Sequence, residues 1–441
     1  MYIAQQIAAQ AVHQVLSGHN LTLALPAAIR KFPDITPQQR GTAQDLSYGT
    51  LRFYGEINAY LTQLLEKPLT NEGVRCLLLV AIYQLLHDKA QAFTVVDQAV
   101  TAATQFKTAW AKGLVNAVLR NFLRQKEELA KKITNNELAT YSYPQWWINK
   151  IKVQYPSHWQ SILAVGNQHP PMTLRINRLK TNMRDYLIEL QNEAIEASVL
   201  SDSAVMLAKP ILVEKIPQFL DGGVSVQDYG AQIAAHLLDV QDGMRVLDAC
   251  CAPGGKAAHI LELADVAMTA LDSDADRLLK VQGNLERLNL HAEIMCGDAS
   301  YVNDWWDGVP FDRVLSDVPC TASGIVRRHV DIKWLRREAD VASFAKQQAL
   351  ILCDLWQTLA KGGKLLYVTC SIFNEENQGQ IDRFLQVHAD ATQLPWTLPT
   401  VALSEADNVA TLKMVPLEIE NGQLIPTDAH DGFFYALLQK N

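Results

Sequence analysis

Two cysteines stand in runs that read as strand ends, Val314-Leu315-Ser316-Asp317-Val318-Pro319-Cys320 and Tyr367-Val368-Thr369-Cys370-Ser371. Taken alone, a cysteine is most simply a small buried hydrophobe, and Cys76, Cys296 and Cys353, inside hydrophobic runs, keep that reading. The exits of strands in an open α/β sheet are different ground, because ligands bind beyond the carboxyl ends of the strands. A thiolate placed there adds to an electrophilic carbon and splits one hard step into easier ones. Carbon 5 of cytosine is a case that calls for this. It is a poor nucleophile toward a methyl sulfonium until a thiolate adds at carbon 6 and makes carbon 5 enamine-like. Attack needs the thiolate, so the cysteine's surroundings must lower its pKa from about 8.5. Release of product then needs a second acid or base. A carboxylate such as Asp317 is placed to accept from the exocyclic amine.

A second constellation lies upstream. Val246 to Lys256 runs as a strand into the turn Cys250-Cys251-Ala252-Pro253-Gly254-Gly255-Lys256, which opens a helix. A phosphate-binding loop fails here, since Cys250 occupies the first glycine's place and Ala257 that of the magnesium-binding hydroxyl. The dinucleotide fingerprint fails too. Asp272, ending the next strand, is placed to accept from ribose hydroxyls, Asp298 follows the third strand near an adenine amino group, and Asp317 closes the fourth. Singly, each Asp is most simply a turn or cap residue. Four acids, Asp248, Asp272, Asp298 and Asp317, ending successive strands point to a nucleoside without pyrophosphate, S-adenosylmethionine. No metal is called for.

These groups need a scaffold, and the chain of 441 residues, 49% hydrophobic and 20% charged, is long enough for several cores. Ile7, Ala8, Ala11, Val12, Val15 and Leu16 repeat at helical spacing, Val74 to Leu86 is apolar nearly all round, and Lys112 to Leu129 gathers Asn116, Arg120 and Arg124 on one face. Residues 1–140 therefore read as an all-α bundle. Residues 141–225, with aromatic and Pro-containing stretches and the β-like run Met172 to Ile176, read as a small α+β linking module. From 226 to 441, strands at Arg245–Asp248, Ala267–Asp272, Glu293–Cys296, Arg313–Asp317 and Lys364–Thr369 alternate with helical patterns, giving a Rossmann-like α/β domain with a mostly parallel sheet. The three parts carry 14 basic against 10 acidic residues, 8 against 7, and 17 against 30, a net -8 that argues against indiscriminate nucleic-acid binding.

The face of Arg120 and Arg124 is either solvated or an RNA contact. Within the acidic domain, Ser323 to Arg337 holds Arg327, Arg328, Lys333, Arg336 and Arg337 with Trp334, a pattern suited to phosphate contact and base stacking or else to a solvated helix start. Cys76 to Leu86 is too short to span a bilayer, and no basic-then-apolar leader opens the sequence, so a cytoplasmic protein is expected. Seven cysteines without a C-x-x-C pair read as reduced thiols.

These motifs resemble the Sun/Fmu-type bacterial RNA cytosine-5 methyltransferases, and within them the ribosomal small-subunit methyltransferase B group, over nearly the whole chain. Asp248 to Lys256 is similar to the family's cofactor motif, Asp317-Val318-Pro319-Cys320 to its D-x-P-C motif, Thr369-Cys370-Ser371 to its T-C-S motif, and Val226-Gln227-Asp228 to the motif before the catalytic core. Lys112 to Arg120 resembles the NusB-like RNA-binding helical domain that such enzymes carry. The resemblance implies Cys370 as nucleophile, Cys320 as the thiol that helps release product, Asp317 as a base-orienting acid, and Cys250 to Lys256, Asp272, Asp298 and Asp317 as the cofactor site. It implies 16S rRNA, free or partly assembled into the small subunit, as partner, with no membrane, no metal and a monomeric enzyme. Ala257, Tyr229-Gly230, Val318 and Val330 depart from the usual pattern without removing a required group. Three alternatives stand beside this reading: a non-catalytic rRNA-binding assembly factor, a methyltransferase acting on another RNA such as tRNA, and a DNA cytosine methyltransferase, which would use the thiol of the P-C motif.

Overall fold

The structure, a computed structural model, describes residues 2–105, 110–397 and 417–441. The chain forms two compact units, one from residues 1–169 with 326–338, the other from 170–325 with 339–441. Of the segment read in sequence as one α+β module, the helices Gln145–Gln154 and Trp159–Val165 belong to the first unit and the strands from Met172 onward to the second. Among the described residues, no helix is long and apolar enough to cross a membrane.

The first unit is built on the helix Glu72–Leu86, in which every residue from Cys76 to Leu85 is buried. A helix apolar all round must be enclosed by others, and Asn71 fixes its start by accepting from the Val74 amide at 3.0 Å. The helix Tyr2–Leu16 departs from the single apolar face read in sequence, because Gln5 and Gln6 are buried too. Gln5 Nε2 donates to Gln84 Oε1 at 2.6 Å and Gln6 Nε2 to the Ala102 carbonyl at 3.2 Å, so these amides enter the core with partners. In the helix Ala111–Ile133, Val115, Val118, Leu119 and Phe122 are buried while Arg120 and Arg124 are exposed, the division that the spacing predicts.

The second unit holds two sheets. Strands β1 (Met172–Ile176), β2 (Ala197–Val199), β3 (Ala204–Leu207) and β4 (Val224–Val226) form an antiparallel sheet in the order β2-β3-β1-β4. The larger sheet contains β5 (Arg245–Ala249), β6 (Ala267–Asp272), β7 (Glu293–Cys296), β8 (Phe311–Asp317) and β9 (Leu359–Thr369), all parallel, in the order β7-β6-β5-β8-β9. Four further strands, β10 (Ala391–Leu394), β11 (Ile419–Glu420), β12 (Gln423–Leu424) and β13 (Phe433–Lys440), complete it, with β13 antiparallel to β9. Strand order reverses between β5 and β8, so the crevice for a ligand opens where those strands end. The central parallel strands β5, β6 and β8 and the second half of β9 are buried on both faces, as strands flanked by helices must be, while β7 at the edge is partly exposed.

Candidate active site

Parallel pairing sets Asp317 of β8 opposite Val368 of β9, so the chains leaving these strands carry Cys320 and Cys370 side by side. Their sulfurs lie 3.4 Å apart. Cys320 is buried and Cys370 half-buried. The Cys370 sulfur beside it, and burial after that, push the Cys320 thiol well above its ordinary pKa. Cys320 is therefore held as S–H, with Cys370 as the sulfur it faces. Gly324 donates its amide to the Cys370 carbonyl at 2.8 Å, and a Cβ on it would meet the Gly432 carbonyl oxygen at 2.2 Å, an approach only glycine permits.

Behind the thiols lies a buried network that the sequence pattern does not announce. One oxygen of the Glu376 carboxylate accepts from the Thr321 amide at 2.8 Å and Gln348 Nε2 at 3.1 Å, the other from the hydroxyls of Thr321 at 2.6 Å and Ser371 at 2.5 Å. Gln348 also donates to the Pro319 carbonyl at 2.9 Å. Asn377 accepts from the Thr369 hydroxyl at 2.6 Å and donates to the Ser371 carbonyl at 2.9 Å. The only trace of this in sequence is the polar run Asn374-Glu375-Glu376-Asn377 just after the second thiol.

On the cofactor side, the turn after β5 is shaped by Cys250 at φ 63° and Gly254 at φ 94°, and by the Gly254 amide donating to the Cys251 carbonyl at 2.7 Å. Asp272 is buried at the end of β6, where it accepts from the Ala252 amide at 3.1 Å and the Asp274 amide at 3.1 Å and pairs with Arg277 at 3.4 Å. Asp298 is exposed and accepts from the Ser300 amide and hydroxyl at 2.8 and 2.6 Å. Lys256 and Asp317 form an ion pair at 2.6 Å. Asp248, 1% exposed, has no hydrogen-bond partner of ordinary geometry for either carboxylate oxygen. Burial first, then Asp317 and Asp272, push its pKa well up, with Lys256 pulling the other way. A buried, unpartnered acid among other acids fits a cofactor that carries positive charge and polar hydrogens, as S-adenosylmethionine does. The loop is held from behind by Arg175 of β1, which no motif in the sequence marks. It donates to the Gly255 carbonyl at 2.8 Å and to Gln227, and pairs with Glu262 at 2.7 Å, both side chains fully buried.

The basic segment after Ser323 differs from expectation. Lys333 is completely buried within the first unit, where it donates to the Arg52 carbonyl at 2.8 Å and Asn167 Oδ1 at 2.7 Å, with its Nζ 4.3 Å from the Tyr143 ring centre. Arg327 is buried as well, and Trp334 donates its indole N–H to the Leu51 carbonyl at 2.7 Å. This corrects the reading of Lys333 and Arg327 as surface phosphate contacts, since side chains committed to the interior are not offered to a backbone. Arg328 and Arg336 are half-buried, and Arg120 and Arg124 stay exposed. Elsewhere, the ligand atoms of His13, Glu72 and Cys76 lie within 4.8 Å of one another. Glu72 already pairs with Arg75 at 3.1 Å, and burial pushes the Cys76 thiol to about 12, which disfavours the thiolate a metal needs.

Comparison with known proteins matches residues 235–439 to the family described as 16S rRNA methyltransferase RsmB/F, residues 143–214 to a ferredoxin-like domain of such methyltransferases, and residues 3–124 to the NusB family. A protein of Serratia proteamaculans named ribosomal RNA small subunit methyltransferase B is 43% identical over 396 residues, 88% of this chain and 91% of its own. One of the same name from Yersinia enterocolitica is 41% identical over 445 residues, covering 100% of this chain and 99% of that one. The crystal structure of a protein designated PH0851 superposes with a TM-score of 0.79 at 22% identity, covering 100% of this chain and 99% of the other, and shares the fold.

Proposed function

From the premise that this chain belongs to the RsmB/F family of 16S rRNA methyltransferases, we propose that it methylates carbon 5 of a cytosine through a covalent adduct with Cys370. The enzyme is an S-adenosylmethionine-dependent rRNA methyltransferase. The observation that carries the thiol reading is the 3.4 Å separation of Cys320 and Cys370 at the exits of neighbouring strands.

S-adenosylmethionine, when bound, would supply the methyl group from its sulfonium, with the neutral thioether as leaving group. Cys250 to Lys256, Asp272, Asp298 and Asp317 line its site in this reading, with Asp248 beneath the loop. The Cys370 thiolate adds to carbon 6, and the electron pair of the 5,6 double bond moves to carbon 5, which takes the methyl. Water reaching the half-buried Cys370 takes the carbon 5 proton, and the electron pair left behind restores the double bond as the bond from carbon 6 to sulfur breaks and the thiolate leaves. Cys320, held as S–H against Cys370, serves this second half by stabilising the departing sulfur. Asp317, steadied by Lys256, orients the base. The exposed Arg120 and Arg124 hold the phosphate backbone, and a monomer acting in the cytoplasm on free or partly assembled 16S rRNA completes the proposal.

The test is the pair of thiol variants on a denaturing gel. Cys370→Ser should lose both methylation and any denaturant-resistant RNA complex, whereas Cys320→Ser should transfer methyl and then stall with RNA attached. The reverse pattern would assign attack to Cys320, and normal methylation by both would exclude a covalent thiol mechanism.

A further inference from the structure

The carboxylate of Glu376 lies fully inside the second unit and gathers hydrogen bonds from both thiol loops at once. Thr321 follows Cys320 and Ser371 follows Cys370, and both hydroxyls donate to this one acid. Pro319, before Cys320, is tied to the same carboxylate through Gln348, and Thr369, before Cys370, is tied to Asn377, the residue next to Glu376. The Glu376 carbonyl in turn accepts from the buried Tyr367 hydroxyl at 2.8 Å, which anchors the acid to β9 itself. A buried carboxylate costs free energy unless its lone pairs are filled, and four donors fill these. That cost is hard to explain as packing alone, since an apolar side chain could fill the space without it.

Resting on the covalent reading above, we infer that Glu376 is a positioning residue for methyl transfer: one carboxylate fixes the two loops so that Cys320 and Cys370 meet at hydrogen-bond range. The network depends on the charged form. Each hydroxyl has a single hydrogen, and the Thr321 and Ser371 oxygens lie 2.6 and 2.5 Å from Glu376 against 3.0–3.2 Å from one another and from Ser323, so the carboxylate is the acceptor that takes both hydrogens. The Ser371 oxygen is thereby left to accept from the Phe373 amide at 3.0 Å, and the Ser323 oxygen accepts from the Ile372 amide at 2.8 Å. An amide in place of the carboxylate keeps its oxygen toward the Thr321 amide and Gln348 but turns N–H toward the two hydroxyls, whose hydrogens must then swing to Ser323, an oxygen already taken by the Ile372 amide. The loops lose their shared charged acceptor, and the thiol spacing loosens.

The test compares wild type with Glu376→Gln in the full chain, by two readouts. The first needs no methylation. A diazene oxidant takes two electrons and two protons from a pair of adjacent thiols, becoming the hydrazine while the S–S bond forms, so the rate of Cys320–Cys370 disulfide formation reports their juxtaposition. The second is steady-state methylation. A displacement near 1 Å costs about a hundredfold in rate, so Glu376→Gln should lower kcat by about that factor and slow disulfide formation about tenfold or more. The cofactor Kd and the KM for RNA should stay near wild type. Ser371→Ala combined with Thr321→Val removes the two hydroxyl donors while keeping the acid, and should move both readouts the same way if Glu376→Gln fails to fold. A folded variant with wild-type disulfide rate and wild-type kcat overturns the inference. If Cys370→Ser instead keeps methylating, the covalent reading has failed, and the disulfide rate still decides what Glu376 does.

Discussion

Lys256 and Asp317 meet at 2.6 Å, and this ion pair bridges the turn after β5 and the strand that leads to Cys320. Burial works against the Lys256 ammonium, yet Asp317, Cys370 and Asp248 outweigh it and raise its pKa. The lysine thus does more than neutralise an acid. It places positive charge where the cofactor side and the thiol side of the site adjoin.

Cys370 is among the groups that raise the Lys256 pKa, so the ammonium acts at the site of this sulfur. Lys256→Met should slow alkylation of Cys370 by iodoacetamide at neutral pH by about tenfold, the effect of one nearby charge, as read by mass spectrometry of the labelled peptide. Unchanged labelling would place the lysine's role in the Asp317 pair alone.

Asp248 gives a pH signature. Its pKa is raised in the folded chain, so above the ordinary value of 3.8 the folded state binds more protons than the unfolded one and stability falls as pH rises. Asp248→Asn removes that penalty. Without cofactor, the variant should match wild type near pH 4 and melt about 2 °C or more higher at pH 8, while its cofactor affinity drops. Thermal scans at both pH values and calorimetry check the two halves.

Arg175 and Glu262 are a fully buried pair, and breaking such a pair typically costs about 3–5 kcal/mol because one charge is left uncompensated. Arg175→Met should lower the denaturation midpoint accordingly and loosen the loop at Gly255. Arg175→Met with Glu262→Leu should recover most of the stability, though not the cofactor affinity, since the hydrogen bond to the Gly255 carbonyl stays broken. Urea titrations of the three variants measure this.

Legibility in sequence depends on whether the signal is local. Strands β6 and β7 and the run Met172–Ile176 are legible to the residue, because each apolar run is bounded by turn residues and the site acids stand at the strand ends. Strand β13 is not: Phe433 to Lys440 is an apolar run that suits a helix or a strand, and only pairing with β9, more than 60 residues earlier, decides it. Glu376 escapes notice for a similar reason, since its donors on Thr321 and Gln348 lie 55 and 28 residues away. Gln5 and Gln6 look like surface residues until their partners on distant helices are visible.

The exposed Arg120 and Arg124 carry a prediction about substrate. Each bonds an asparagine of its own helix, Arg120 to Asn116 at 2.9 Å and Arg124 to Asn121 at 2.8 Å. Arg120→Glu with Arg124→Glu should weaken binding of a 16S rRNA fragment and reduce the salt dependence of log K by about 0.7–0.9 for each phosphate no longer neutralised. Equal affinity at low salt would leave that face merely solvated.

Lys333 carries the opposite expectation, because the structure moves it from an expected RNA-facing position to the interior of the first unit. Burial first, with Arg52 adding to it, pushes its pKa well below 10.5. Between the lowered value and 10.5 the unfolded chain therefore holds a proton that the folded chain lacks, and stability rises with pH across that window. Wild type should gain stability toward denaturant from pH 7 to pH 9.5 relative to Lys333→Met, in which this slope is absent. The variant should also be less stable at the upper pH, having left the Arg52 carbonyl and Asn167 without their donor. Its salt slope for RNA binding should equal that of wild type, since an amino group buried in the interior neutralises no phosphate. A slope reduced by about 0.7–0.9, the share of a single phosphate, would return Lys333 to the RNA surface, and with it the reading of the segment as suited to phosphate contact and base stacking.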